Sequence, residues 1–203
     1  MAIISQPLAD HALFAREFLR SPLRTASLVR SSPSLAARML ARLPGTYPVV
    51  VELGPGTGSF TGAIQQRLGR SGRHIAVELN SALADHLSAR FHEVEVVHAP
   101  AGQLTRVLAD RGLRSVDAVV SGLPWAAFAG PTGAKQIGII AAALDPGGVY
   151  TQFTYSWTRW APPARRQLDQ LQSAFENVDI GRTVWRNLPP AFVYTCTRPR
   201  IRP

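Results

Sequence analysis

From residue 49 onward the chain alternates between two hydrophobic patterns. Short runs rich in β-branched residues recur at 49–53, 74–78, 94–98, 116–121, 149–153, 178–185 and 192–197. Between them, apolar residues fall at helical spacing over 59–68, 81–91, 103–111, 132–144 and 163–175. Strands covered on both faces read as almost continuous apolar runs, so this alternation predicts an α/β fold with a seven-stranded, mostly parallel sheet between two helical layers. Gly69 and the Asp145-Pro146-Gly147-Gly148 turn mark helix ends. The last two strands are joined through Asn187-Leu188-Pro189-Pro190, too short a link for a crossover helix, so a C-terminal antiparallel hairpin is expected.

Ahead of the sheet, residues 9–43 have a different character and predict two helices split near Ser31-Ser32-Pro33. Ser32 is placed to cap the second helix, with Pro33 at its first position. In the first helix Leu13, Phe14, Phe18 and Leu19 share one side while Arg16 and Arg20 line another. Such a face suits lying on a membrane, closing over a site, or packing on the domain. The chain therefore divides into residues 1–45, a helical docking or lid segment, and 46–203, the main domain.

Composition narrows the picture. The 203 residues, 46% hydrophobic, suffice for one domain with a substantial core. Lys+Arg total 22 against 13 Asp+Glu, a net charge of +9, and Lys135 is the only lysine. Arginine presents a planar fork to phosphate, so nucleic acid, a lipid headgroup or an anionic membrane surface are candidate partners; solvated faces written in arginine would look the same. The single cysteine, Cys196, excludes an internal disulfide and sits in an apolar run expected to be core. No signal-peptide pattern is present, and no apolar run approaches the ~18 residues of a bilayer span. The expectation is a cytoplasmic protein for which any membrane contact is peripheral. His11, His74, His86, His92 and His98 show no ligand spacing, so no metal site is expected.

The first strand ends Val51-Glu52-Leu53 and runs into Gly54-Pro55-Gly56-Thr57-Gly58. A strand, a glycine turn and a helix bring backbone close to a ligand at the carboxyl edge of a Rossmann-like sheet. Glu52 can meet an ammonium group, directly or through water, which S-adenosylmethionine (SAM) has and nicotinamide dinucleotides lack. A dinucleotide site would also favour a glycine where this chain has Ser59. Glu78, about 20 residues beyond the glycines, is placed to accept both ribose hydroxyls. Leu79 and Asn80 follow it. After the third strand Pro100 stands where an adenine-binding acid is often found, leaving backbone groups of Ala101 and apolar contact from Leu79 to hold the base. Ser121 and Gly122 close the cofactor side from the fourth strand.

Taken together, these residues resemble the bacterial peripheral phospholipid N-methyltransferases, class I SAM-dependent enzymes that methylate phosphatidylethanolamine. The likeness lies in Phe18-Leu19-Arg20-Ser21-Pro22 through Ser31-Ser32-Pro33, the glycine turn, Ala76 to Asn80, Ser121-Gly122-Leu123-Pro124, and Trp185-Arg186-Asn187-Leu188-Pro189-Pro190-Ala191-Phe192-Val193-Tyr194. It implies a basic N-terminal helix docking on anionic lipid and a headgroup pocket above the methyl donor. Pro100 and the Trp157-Thr158-Arg159-Trp160 segment depart from the pattern. The chain is also similar to ribosomal RNA adenine dimethylases in the glycine turn and in a fourth-strand Asn-Leu-Pro-aromatic motif. Here Gly122 takes the place of that asparagine.

For an in-line methyl transfer the protein supplies alignment and electrostatics. Trp125, Phe128, Tyr155 and Trp185 are candidates for an aromatic wall around the cations, Trp125 and Tyr155 being the catalytic choices, with Tyr155 or a water near Glu52 as possible base. Arg186 is the first choice for a headgroup phosphate, then Arg24 and Arg30, with Asn187 beside it. A soluble small-molecule acceptor, an RNA base and a SAM-binding module without turnover remain the alternatives.

Overall fold

The computed structural model describes residues 31–45, 48–69, 71–128 and 130–200. The predicted first helix, Arg24 and Arg30 lie outside them. Numbered from the first described residue, the helices are α1 (Pro33–Met39), α2 (Thr61–Leu68), α3 (Ser81–Arg90), α4 (Leu104–Ala109), α5 (Pro131–Ala143) and α6 (Pro162–Ala174). The strands are β1 (Val49–Leu53), β2 (Arg73–Glu78), β3 (Glu95–His98), β4 (Val116–Ser121), β5 (Leu144–Tyr155), β6 (Phe175–Ile180) and β7 (Ala191–Pro199).

The seven strands form one sheet in the order β3-β2-β1-β4-β5-β7-β6. β1 lies parallel to β2 and β4, through Val51↔Ile75 and Val51↔Val119, and β4 is parallel to β5. β7 is antiparallel to both β5 and β6, so it alone runs against the rest. The carboxyl ends of β1, β2, β4 and β5 therefore meet at one edge, together with the start of β7. The glycine turn, Glu78 and Tyr155 sit on that edge.

The alternation of side chains along each strand feeds two cores. Val51, Leu53, Ile75, Val77, Val119 and Tyr150 pack with α4, α5 and α6 on one face, where the Tyr150 and Phe175 rings stack at 5.8 Å. Cys196 is buried there, as expected, and burial pushes its thiol pKa up. On the other face Val50, Ala118, Val120 and Val193 pack with Leu35 and Met39 of α1 and Ile64 and Leu68 of α2. The Ser32 hydroxyl caps α1, accepting from the Leu35 N–H at 3.2 Å, with Pro33 at the first position. The described part of residues 1–45 thus shares a core with the sheet.

Both ends of β5 and of β6 depart from the sequence reading, β6 beginning at Phe175 rather than 178 and β5 running on to Tyr155. β6 ends at Ile180 rather than 185, because Val184 leaves the strand and makes a separate bridge to Ala191. The β6–β7 connection is consequently a loop over 181–190. β5 begins at Leu144, and the Asp145-Pro146-Gly147-Gly148 turn loops out of it, the register passing from Val116↔Leu144 to Ala118↔Val149. Because Met39 is fully buried against the sheet, M39A should destabilise the whole domain by about 2–5 kcal/mol. Urea unfolding followed by far-UV circular dichroism would show this as one shifted transition; a change below about 0.5 kcal/mol would mean that α1 is not part of the domain core.

Candidate active site

At the carboxyl edge three strand ends are drawn together by backbone hydrogen bonds. The Gly54 N–H donates to Val77 O at 2.9 Å, and the Gly122 N–H donates to Leu53 O at 2.8 Å. So close is this approach that a Cβ on Gly122 would stand 2.6 Å from the Gly54 carbonyl oxygen. Gly56 is different. Its φ is +60°, and a Cβ there would meet nothing within 4 Å, so its missing side chain leaves open space on the turn. Within the turn Pro55 O accepts from Gly58 N–H, and Thr57 O accepts from the Arg90 guanidinium at 3.2 Å.

Glu78, at the end of β2, fixes this turn to its neighbour. One carboxylate oxygen accepts the Gly56 N–H at 3.0 Å, and the other accepts the Asn80 N–H at 2.9 Å. A carboxylate offers about four acceptor positions, so each oxygen keeps one for a hydroxyl. Asn80 itself is the cap of α3, its side chain accepting from Leu83 N–H at 3.1 Å.

Beneath the turn lies a buried polar network that sequence reasoning missed. Glu52 is 0% exposed, and its Oε2 accepts from the Thr61 hydroxyl at 2.7 Å. His74 Nε2 lies 3.3 Å from the same oxygen, and its Nδ1 is 3.0 Å from the Gln65 amide nitrogen. A Gln amide nitrogen only donates, so Nδ1 accepts from it, while His74 Nε2, though near Glu52, makes no hydrogen bond among the described residues. Glu52 Oε1 has no hydrogen-bond partner among the described residues. The visible signals were a histidine inside the apolar run of β2, and Thr61 and Gln65 one turn apart on α2.

On the adenine side Leu79 is 57% exposed at the end of β2. Pro100 caps a short 3-10 turn, Ala101–Gln103, and the Ala101 carbonyl accepts from the Gln136 amide at 3.2 Å. That carbonyl already has a protein partner.

Five candidates from the sequence stand elsewhere than expected. Trp125 is only 6% exposed, a member of the larger core rather than an open wall. Its indole N–H donates to Ser121 Oγ at 3.0 Å, and its ring packs against Phe128 and Tyr150. Ser121 is fully buried, its hydroxyl taken by Trp125 and by the Leu123 N–H. Asn187, expected to meet substrate, is 1% exposed with its amide committed. Its Oδ1 accepts the Ser32 N–H and its Nδ2 donates to Pro189 O, both at 2.8 Å. Trp185 and Arg186 are exposed on the 181–190 loop, not gathered into a pocket.

Tyr155 does reach the edge, at the end of β5, with its ring against Phe153 and stacked on Trp157. Burial raises its phenol pKa above the ordinary value of 10, so at neutral pH it is a hydrogen-bond donor and not a base. Phe128 is half-buried beside Trp125.

The fold is shared with solved methyltransferases. The TehB-like SAM-dependent methyltransferase of Corynebacterium glutamicum superposes with a TM-score of 0.62 at 14% identity, covering 92% of this chain and 98% of that one. Aeropyrum pernix fibrillarin, solved with natively bound SAM, gives 0.59 at 18% identity over 80% of this chain and 74% of that one. Fold and glycine edge together are of the class I methyltransferase type, a Rossmann-like sheet with a C-terminal antiparallel strand. No family model matches the chain. It is, however, 33% identical over 193 residues to an ornithine lipid N-methyltransferase of Singulisphaera acidiphila, covering 93% of this chain and 96% of the relative. The chain belongs to this family of bacterial lipid N-methyltransferases. A shorter match, 37% over 68 residues and 34% of the chain, joins it to the ribosomal RNA small subunit methyltransferase A of a Burkholderia species, of which it spans 24%.

The residues present fit SAM: the turn is open at Gly56, and Glu52 retains a buried acceptor with no donor among the described residues. Filling the space at Gly56 tests the site directly. G56V should weaken SAM binding in calorimetric titration by at least about 100-fold, since it combines a blocked approach with strain at positive φ. Affinity within about threefold of the parent chain would place the cofactor elsewhere.

Proposed function

We propose that this enzyme methylates the primary amine of a phosphatidylethanolamine-type headgroup at a membrane surface. The observation that carries the reading is the near full-length identity to a relative named for N-methylation of a lipid. Both an ornithine lipid and phosphatidylethanolamine offer a primary amine beside an anionic group, and one site chemistry serves either.

SAM supplies the electrophilic methyl group, and the chain supplies position and charge. Gly54, Pro55, Gly56, Thr57 and Gly58 form the cradle, with Gly56 leaving the room. Glu52 places negative charge under the turn, favouring an ammonium group above it, and its carboxylate is oriented by Thr61, with His74 nearby. Glu78 offers its remaining acceptor positions to the ribose hydroxyls. Leu79 gives apolar contact to the adenine, with Pro100 and Ala101 bounding the base where an acid would otherwise stand. Ser121 and Gly122 hold the floor between β4 and β1. Phe128 and Tyr155 flank the acceptor side, and Arg186 is available to a headgroup phosphate. With Tyr155 protonated, the proton of the amine passes to water.

An RNA base is a poorer acceptor for this geometry. The asparagine of the adenine dimethylases would need a side chain at Gly122, where a Cβ already runs into Gly54 O. Nor does Trp125, turned into the core, offer an open ring for base stacking.

The test is transfer of radiolabelled methyl from SAM to mixed vesicles. Label should enter lipid with phosphatidylethanolamine or ornithine lipid present and not with phosphatidylcholine alone. Labelling of a soluble amine or RNA, with none in either lipid, would contradict the reading.

A further inference from the structure

The segment after β5 and the loop before β7 adjoin at the carboxyl edge. The Ser156 N–H donates to Pro190 O at 2.8 Å, and the Ser156 and Thr183 hydroxyls are 3.3 Å apart. Six large hydrophobic side chains are exposed among the described residues, and four of them lie on this pair of segments. Trp160 is 74% exposed, Trp185 78% and Leu188 83%, while Trp157 is stacked on Tyr155. A folded chain normally hides such groups, and their concentration in one place marks an interaction surface.

The charge around them has one sign. Residues 153–168 carry Arg159, Arg165 and Arg166 and no acid, and residues 180–200 carry Arg182, Arg186, Arg198 and Arg200 and no acid. Arg159, Arg182 and Arg186 are exposed on the two segments themselves. The Arg159 guanidinium lies over the Trp160 ring at 5.7 Å and over Phe192 at 5.5 Å. Tryptophan alternating with arginine matches a bilayer interface, where the indole sits at headgroup depth and the guanidinium meets phosphate. A protein partner of opposite charge would meet the arginines, but it would give no reason for indoles exposed beside them.

Position completes the case. β5 stands two strands from β1 in the sheet, about 10 Å at ordinary strand spacing, so these segments rise beside the glycine turn. The same loop holds the beginning of the described chain through Asn187 and Ser32.

We propose that segments 156–161 and 181–190 form a docking surface for an anionic phospholipid bilayer. Trp160, Trp185 and Leu188 enter the interfacial layer, Arg159, Arg182 and Arg186 engage lipid phosphates, and the carboxyl edge is thereby held facing the headgroups. This rests on the lipid reading above, but it names a surface that the reading does not require.

The experiment uses the full chain with S-adenosylhomocysteine and vesicles of phosphatidylglycerol and phosphatidylcholine in equal parts. Of the four tryptophans Trp125 is buried, so intrinsic fluorescence reports mainly the loops. Phosphatidylcholine brominated along its acyl chains should quench that fluorescence. W160A/L188A should lower vesicle affinity at least about tenfold while leaving S-adenosylhomocysteine affinity and methylation of a short-chain, monomeric phosphatidylethanolamine unchanged. R159Q/R182Q should weaken binding at low salt and flatten its salt dependence. Absent quenching, or W160A/L188A affinity within about twofold of the parent chain, would overturn the surface. If the parent chain methylates the short-chain lipid yet is never quenched, the docking surface fails and the substrate reading stands. Quenched binding with no transfer to any amine lipid would sustain the surface and sink the substrate reading.

Discussion

The glycine edge depends on one carboxylate. Glu78 ends β2 and spends one oxygen on the Gly56 N–H and the other on Asn80 N–H, tying the β1 turn to the start of α3. Charge-assisted bonds to backbone donors are roughly twice as strong as neutral ones, and these two are partly buried. The turn is thus shaped before any ligand arrives, with Gly56 open above and the buried Glu52 carboxyl group below. Such preorganisation is what an in-line displacement needs from a protein.

A second constraint is backbone crowding. Gly122 approaches β1 so closely that a Cβ on it would stand 2.6 Å from the Gly54 carbonyl oxygen, and in the proposed reading this limits which acceptor chemistry the edge can host. The asparagine that would hold a base amine has no place. In the proposed reading, recognition comes from the far side, where β5 ends in Tyr155 and the two aromatic segments rise. The acceptor amine would then approach from that direction, toward a methyl donor held over β1 and β2.

Much of this was legible in the sequence, and the failures are instructive. The strands of a doubly covered sheet announce themselves as apolar runs, so β1 and β4 fall at their expected residues. β6 ran too long on paper because Val184 and Trp185 are good strand formers that here serve a bridge and an exposed loop. Trp125 looked like a site wall because an aromatic after a strand has the same pattern whether it turns inward or outward; the Ser121 hydroxyl four residues earlier draws it into the core. Asn187 looked like a ligand because its partner, Ser32, is 155 residues away. His74 was seen only as one histidine among five, since its meaning comes from Glu52 on the adjacent strand and Gln65 on α2.

The most direct measurement is calorimetric titration of E78A with S-adenosylhomocysteine, after thermal melting has shown the variant to be folded. Removing the carboxylate frees the Gly56 N–H and takes away the proposed ribose acceptor, two charge-assisted bonds worth about 1.5–3 kcal/mol each. The expected result is an affinity at least about 100-fold weaker than that of the parent chain. A folded E78A that binds within about threefold of it would contradict the central role given to Glu78.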